Sequence, residues 1–244
     1  MPLGRPGGRI GGMKKKGVIA VGGLLASVTL LTGCGLAGIG GPTEKKTASY
    51  EVKDDVVRLS VKGEGGAIVV TGSDRTGIKV TENMHWRSDQ PQVRHEVKGD
   101  TLELSYDCKR TWNASCYVDY TIEVPKGMRV KTDSGAGDIT LRSLAGDLDV
   151  TTGAGDIDAN GLTGKRLFVE TGAGDIKLKY ASAPDSVELE TGAGTATLYL
   201  PQGAYDVTTD TGAGSADVKV TDDAAAPRKV SISSGAGDVK VLPL

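Results

Sequence analysis

Apolar and polar residues alternate along two short segments that recur throughout residues 130–244. In each copy one segment precedes a glycine-rich turn and the other follows it. Leu148 and Val150 stand before one such turn, and Ile157 and Ala159 stand after it. Alternation with a period of two is typical of β-strands that bury one face. The pattern therefore predicts a strand, a tight turn and a second strand in every copy.

The turn sequence occurs six times. Each copy has Ser or Thr followed by Gly-Ala-Gly, and the copies begin at Ser134, Thr152, Thr171, Thr191, Thr211 and Ser234. The first glycine recurs every 18 to 23 residues, a period typical of stacked supersecondary units that cannot bury their apolar faces alone. A sharp reversal between strands usually needs a positive φ, which favours glycine.

These features predict an all-β protein with a β-solenoid of repeats of about 20 residues, in which equivalent strands pair from copy to copy. An antiparallel β-sandwich is the alternative, because the same turns could close hairpins within each copy. Residues 50–129 are less regular but also contain strand-like segments, and Gly63–Ile68 resembles a degraded turn. We expect an N-terminal β portion at 50–129, continuous with the repeat solenoid at 130–244.

The N-terminus is typical of a signal peptide, which we place at residues 1–33. Lys14–Lys16 form a basic region, and the apolar run Val18–Leu30 is too short to span a bilayer. The run ends in Leu-Thr-Gly-Cys34, which resembles a bacterial lipobox. That resemblance implies cleavage before Cys34 and a diacylglycerol lipid on its sulfur.

Two further expectations concern the ends of this segment. Residues 1–12 precede a second methionine, Met13, and could be a gene-model extension. Residues 34–49 are small and polar, so we expect the lipidated cysteine to be followed by a flexible tether. The predicted localisation is the extracytoplasmic face of the cell membrane, at the cell surface or in the periplasm.

Charge narrows the set of partners. Five of the 29 basic residues and none of the 31 acidic residues lie within 1–34, so the mature chain has a net charge of about −7. Such a balance disfavours nucleic acid as a ligand. We expect contact with the membrane through the lipid, and with envelope glycan or with a surface or membrane protein.

Cys108 and Cys116 lie close together in the sequence. In an oxidising compartment the simplest interpretation is a disulfide that closes a short loop. Two free thiols or a metal-binding pair are the alternatives.

The segment Glu123–Gly127, then Val130–Thr132, then the repeated Ser/Thr-Gly-Ala-Gly-Asp-Ile/Val motif resembles a bacterial family known as the putative adhesin domain, whose function is unknown. The likeness covers about residues 50–244. It implies an extracytoplasmic β-solenoid with tandem repeats. Adhesion is suggested by the family's name alone, and the resemblance supplies no catalytic residues.

Candidate site residues are few. Asp138, Asp156 and Asp175 follow three successive turns and would stack as a ladder. They could each cap backbone N–H groups at their own turn or, as the alternative, bind calcium. We predict no other cofactor. His85 and His95 are expected to be surface loop residues. The aromatic residues most available for contact are Trp86, Trp112, Tyr117 and Phe168.

Repetition without a catalytic constellation favours a non-enzymatic surface protein that acts as an adhesin-like or scaffold module. One alternative is an envelope-stress regulatory lipoprotein that docks on a membrane protein through the Cys108–Cys116 loop. Another is a polysaccharide-acting enzyme, because elongated β-solenoids can hold sugar chains in a groove.

Overall fold

The computed structural model describes residues 44–109 and 115–244. This part of the chain forms twenty β-strands in two ten-stranded sheets. Within these residues there is no helix long and apolar enough to cross a membrane. The predicted signal peptide, Cys34 and Trp112 lie outside the described residues.

The strands, in chain order, are β1 (Glu44–Val52), β2 (Arg58–Gly63), β3 (Ile68–Ser73), β4 (Ile78–Trp86), β5 (Gln92–Lys98), β6 (Thr101–Asp107), β7 (Cys116–Pro125), β8 (Arg129–Ser134), β9 (Ile139–Arg142), β10 (Leu148–Ala154), β11 (Ile157–Leu162), β12 (Arg166–Ala173), β13 (Ile176–Tyr180), β14 (Ser186–Ala193), β15 (Ala196–Leu200), β16 (Ala204–Ala213), β17 (Ala216–Val218), β18 (Thr221–Asp222), β19 (Lys229–Ala236) and β20 (Val239–Pro243).

Sheet 1 has the order β1-β4-β7-β3-β9-β11-β13-β15-β20-β17. Sheet 2 has the order β18-β16-β19-β14-β12-β10-β8-β2-β6-β5. Each repeat unit supplies one strand to sheet 2, passes through its Gly-Ala-Gly turn, and supplies the next strand to sheet 1. Neighbouring units pair in parallel and in register, so that Val150 of β10 lies beside Val169 of β12. The solenoid prediction is confirmed, and this parallel pairing is incompatible with hairpins inside each unit.

The order of units in space differs from their order in the sequence at both ends. The last unit, β19 and β20, lies between the β14/β15 unit and the β16/β17 unit. Near the other end, the β2/β3 unit lies between β6/β7 and β8/β9. Because all units carry the same apolar alternation, the sequence pattern alone could not distinguish these arrangements. At the C-terminal end, the β16/β17 unit therefore pairs with a later segment of the chain, β19/β20. Near the N-terminal end, β6/β7 pairs with an earlier segment, β2/β3.

Inward-facing side chains from the two sheets form one core built mainly from Val, Leu and Ile. The alternation predicted from the sequence is the alternation of burial: Leu148, Val150, Ile157 and Ala159 are all at most 5% exposed. Tyrosine supplies the largest fully buried side chains, namely Tyr120, Tyr180 and Tyr205.

The N-terminal end departs from parallel pairing. In sheet 1, β4 pairs antiparallel with both β7 and β1, and in sheet 2 β5 pairs antiparallel with β6. β1 begins at Glu44, so residues 44–49, which we expected to belong to a flexible tether, are part of a strand. The cause is the regular cross-strand pairing of β1, in which Tyr50 faces the core beside Val80.

Candidate functional site

The stacked turns are the most regular feature of the molecule. The last glycine of each Gly-Ala-Gly turn has a positive φ, as the sequence predicted. The values lie between 130° and 157° in Gly137, Gly155, Gly174, Gly194, Gly214 and Gly237. The first glycine is required for a different reason. A Cβ on Gly153 would lie 2.5 Å from the carbonyl oxygen of Gly135 in the neighbouring unit. The turns stack too closely for any side chain at that position.

In five of the six copies the residue before the first glycine donates a hydrogen bond to the neighbouring turn, whereas the Ser134 hydroxyl donates to the Ala136 carbonyl of its own turn. The hydroxyl of Thr171 donates a hydrogen bond to the Gly155 carbonyl at 3.1 Å, and that of Thr191 donates to the Gly174 carbonyl at 3.0 Å. Both threonines are almost fully buried. Buried hydroxyls need such partners, and here the partner is the stacked unit rather than the residue's own turn.

The aspartates form a ladder of hydrogen bonds. Asp138 Oδ1 accepts the backbone N–H of Asp156 at 3.0 Å, and Asp156 Oδ1 accepts the N–H of Asp175 at 2.8 Å. Asp175 in turn accepts the N–H of Thr195 at 2.7 Å. Each carboxylate thus caps an N–H group of the following unit. We expected each aspartate to cap N–H groups at its own turn, and the structure shows instead that the capped N–H belongs to the next unit, because the turns stack in register.

The ladder has further members near both ends. Asp238 accepts the backbone N–H and the hydroxyl of Ser215. The Ser215 hydroxyl, then the Ser215 N–H and then Lys240 hold the pKa of Asp238 below its ordinary value. Near the N-terminal end, Asp119 accepts the N–H of Ala67 at 2.8 Å. Sequence reasoning missed Asp119 because no Gly-Ala-Gly motif precedes it.

Calcium binding by Asp138, Asp156 and Asp175 stays a prediction. Their Oδ1 atoms accept backbone N–H groups. Among the described residues no group of three or more His, Cys, Asp or Glu side chains is arranged to hold a metal ion.

The expectation that the histidines lie in surface loops is wrong, because both lie in strands. His85 is in β4 with only 13% of its side chain exposed, and its Nε2 lies 3.1 Å from Asp119 Oδ2. Its ring stacks on Tyr117, with centroids 4.6 Å apart. His95 is in β5, where its exposed ring lies 4.5 Å from that of Tyr50.

The predicted contact residues have different surroundings. Trp86 is half-buried against the core at the end of β4. Tyr117 is held in its stack with His85. Phe168 is half-buried on the outer face of sheet 2, between Asp149 and Glu188 in the strand register. Of these three, Phe168 has the position best suited to contact a partner.

A buried carboxyl group at the N-terminal end was not predicted. Glu82 points into the core of sheet 1 with 1% exposure, and the Tyr50 hydroxyl donates a hydrogen bond to its Oε1 at 2.8 Å. Burial raises the pKa of Glu82, while the hydrogen bond from Tyr50 and the nearby His95 oppose the rise. The neighbouring Tyr120 hydroxyl is buried without a hydrogen-bond partner among the described residues. The alternation in β4 does place position 82 inward, but a glutamate at that position is normally expected on the surface.

Cys108 and Cys116 are joined by a disulfide, with their Cα atoms 6.0 Å apart. The bond links the residue after β6 to the first residue of β7. The free-thiol and metal-pair alternatives are therefore set aside.

Solved structures of other bacterial proteins share this fold. A cell adhesion protein from Clostridium sporogenes, described as putative, has a TM-score of 0.53 and 17% identity; the match covers 82% of this chain and 100% of that one. A putative adhesin from Bacteroides fragilis has a TM-score of 0.54 and 20% identity, with 84% and 100% covered. At such identities the likeness shows the fold alone. No curated protein matches the chain.

The comparison with protein families establishes membership of a family, which the structural likeness alone does not. The model of the family described as Toastrack DUF4097 matches residues 114–242, which is more than half of the chain. The matched range contains all six Gly-Ala-Gly turns and their interlocking hydrogen bonds. The protein therefore belongs to the Toastrack DUF4097 family.

Proposed function

We propose that this protein is a membrane-anchored extracytoplasmic lipoprotein that acts as a non-enzymatic, adhesin-like or scaffold module. In this proposal Cys34 bears the lipid. The outer faces of the two sheets bind envelope glycan or surface proteins.

The observation that carries the proposal is the pair of extended outer faces. Each sheet has ten strands, and neighbouring strands of a sheet lie about 4.8 Å apart. Outward side chains therefore stand in long rows at a fixed spacing, held by the turn stack described above. A rigid, repetitive surface suits a repetitive ligand or a broad protein contact better than it suits a small substrate. One of the two structural relatives is described as a putative cell adhesion protein and the other as a putative adhesin, which agrees with this proposal.

The position of β1 limits the distance between the lipid anchor and the folded domain. β1 is the edge strand at the N-terminal end of sheet 1, and residues 35–43 separate Cys34 from its first residue. Nine residues span at most about 30 Å when fully extended. The lipid would thus hold the N-terminal end close to the membrane, with the stacked units extending beyond it.

The test has two parts. Full-length protein should fractionate with membranes and incorporate labelled fatty acid, and Cys34→Ser should abolish the labelling; equal labelling of both would contradict the anchor. Purified mature protein should bind isolated envelope fractions. Failure to bind any envelope fraction would contradict the adhesin-like role.

The disulfide supports a second candidate, a regulatory lipoprotein that docks on a membrane protein. It constrains the chain on both sides of Trp112. Trp112→Ala should then abolish capture of one dominant membrane protein while leaving the unfolding transition unchanged. Unchanged capture would refute this role.

A further inference from the structure

We propose that copies of this protein associate front to back, with the outer face of sheet 1 of one copy against the outer face of sheet 2 of the next. The proposal goes beyond envelope binding, because it concerns a contact between copies. It rests on opposite charge on the two outer faces of neighbouring units.

The outer face of sheet 2 is acidic across β12, β14 and β16. Four exposed carboxylates point outward there: Glu170, Glu188, Glu190 and Asp210. Glu170 and Glu190 are direct neighbours in the parallel pairing, an arrangement in which like charges repel. None of the four has an ion pair or a side-chain hydrogen bond with another described residue. Each is available to an incoming cation.

The outer face of sheet 1 carries lysines on β13 and β20, and the carboxylates beside them on the flanking strands, Asp158 and Asp217, are paired with Arg142 and Lys219. Lys177 is exposed and has no ion pair with a described residue. Lys179 has its ammonium 4.9 Å from the centre of the Tyr199 ring. Lys240 stands two strands from Lys177 and lies 3.4 Å from Asp238. Lys177 and Lys179 belong to the same unit as Glu170, and Lys240 belongs to the unit that lies between those of Glu190 and Asp210.

Each charged face also has an apolar centre. Phe168 is half-buried in the acidic face beside Glu188. Tyr199 and Leu242 are neighbours in the basic face, also half-buried. Contacts with an apolar centre and a charged surround are typical of protein interfaces.

The charges match in spacing. Lys177 and Lys240 are separated by two strand steps, as are Glu190 and Asp210, and two steps amount to about 9.6 Å. Sheet 2 strands run toward the turns and sheet 1 strands run away from them. A copy displaced sideways and by one strand step, about 4.8 Å, along the stack, without rotation, can therefore set Glu190 against Lys177, and Glu188 against Lys179.

Because the two outer faces carry opposite charge, the partner that each face fits best is a second copy of this protein. A front-to-back contact is heterologous, so it joins copies into open rows rather than closed pairs. Copies related by displacement keep their N-terminal ends on the same side. That arrangement is the one required of molecules tethered to a single membrane surface.

Crosslinking between full-length copies expressed in the cell envelope tests the contact. Two differently tagged forms are produced together, one with Lys177→Cys and the other with Glu190→Cys, and intercopy disulfides are measured after mild oxidation. The matched control pairs Lys177→Cys with Lys62→Cys, which lies four strands from Glu190 along the same outer row of sheet 2. We expect strong crosslinking of the first pair and little of the control. Equal crosslinking of the two pairs would overturn the proposal, as would stronger crosslinking between two Glu190→Cys copies.

Charge reversal gives an independent readout. Glu188→Lys with Glu190→Lys should lower native intercopy association, measured by chemical crosslinking, at least about tenfold, because like charges then oppose each other. Adding Lys177→Glu and Lys179→Glu should restore it; no restoration would overturn the contact. Loss of envelope binding alone would contradict the proposed function and leave this contact standing.

Discussion

Replacing a single first-position glycine tests the physical basis of the turn stack. In Gly153→Ala the new Cβ would lie 2.5 Å from the Gly135 carbonyl oxygen. An ordinary contact is near 3.4 Å, so the two turns must separate by about 0.9 Å. The obstacle is backbone, which cannot rotate away as a side chain could.

The cost follows from what holds the two turns together. Separation weakens the hydrogen bond from the Gly137 N–H to the Ala154 carbonyl, which is 2.8 Å long, and the bond from the Thr152 hydroxyl to the Gly137 carbonyl. Each contributes about 1 kcal/mol when intact, so weakening both by about half costs about 1 kcal/mol, and overpacking adds about 1–3 kcal/mol. We expect the free energy of unfolding to fall by about 2–4 kcal/mol, measured by urea denaturation followed by far-ultraviolet circular dichroism.

Two other glycines separate the possible causes. Gly127→Ala places its Cβ in open space without a positive φ, so the change should stay within about 0.5 kcal/mol. Gly99→Ala also meets no atom but has a φ of +62°, so conformational strain alone should cost about 1–2 kcal/mol. If Gly153→Ala were no more destabilising than Gly127→Ala, close stacking would not be the reason for the first glycine.

Other parts of the account make separate predictions. Asp156→Ala removes the acceptor of the Asp175 N–H and should cost about 1 kcal/mol, whereas Asp133→Ala, at an exposed site without a side-chain partner among the described residues, should be nearly neutral; equal losses would argue against the ladder. Chelator should leave the midpoint of thermal unfolding unchanged if the ladder aspartates act as caps, and a decrease that calcium reverses would instead support the metal site. Because burial raises the pKa of Glu82, the folded state penalises its ionised form, so stability should fall as the pH rises from the ordinary glutamate pKa through the raised one. Glu82→Gln should remove that dependence and raise stability at neutral pH by about 1–3 kcal/mol, and a loss of stability would show that the ionised carboxylate is needed. Reducing the Cys108–Cys116 bond should cost about 2–3 kcal/mol; an unchanged urea midpoint would show that the loop is already ordered without it.

The repeating part of the fold could be predicted because its physics is local. Alternation places Val150 and Ile157 inward, and the constant period requires equivalent strands to pair between units. The need for glycine at the third turn position also follows from backbone geometry. The need for glycine at the first turn position, for example Gly153, becomes clear only from the stacked units, because the neighbouring turn leaves no room for a Cβ.

The order of units and the end structures could not be predicted. The apolar pattern of β19 fits beside β14 or beside β16 equally well, so only the assembled fold reveals that β19 lies between them. Asp119 and His85 meet across neighbouring strands, a contact that no short sequence spacing encodes. Glu82 shows the same limit, because a buried carboxyl depends on the partner that Tyr50 provides across the sheet.

The most direct test of the proposed function is crosslinking in living cells, followed by mass spectrometry of the captured partners. Photo-crosslinking residues would replace Phe168 and Thr197, one on each outer face, and Leu178, which is buried, would serve as the control position. We predict that both outer positions capture envelope glycan or several surface proteins, in addition to a second copy of this chain, and that Leu178 captures none of them. If neither outer position captured any envelope glycan or surface protein, the account would be contradicted.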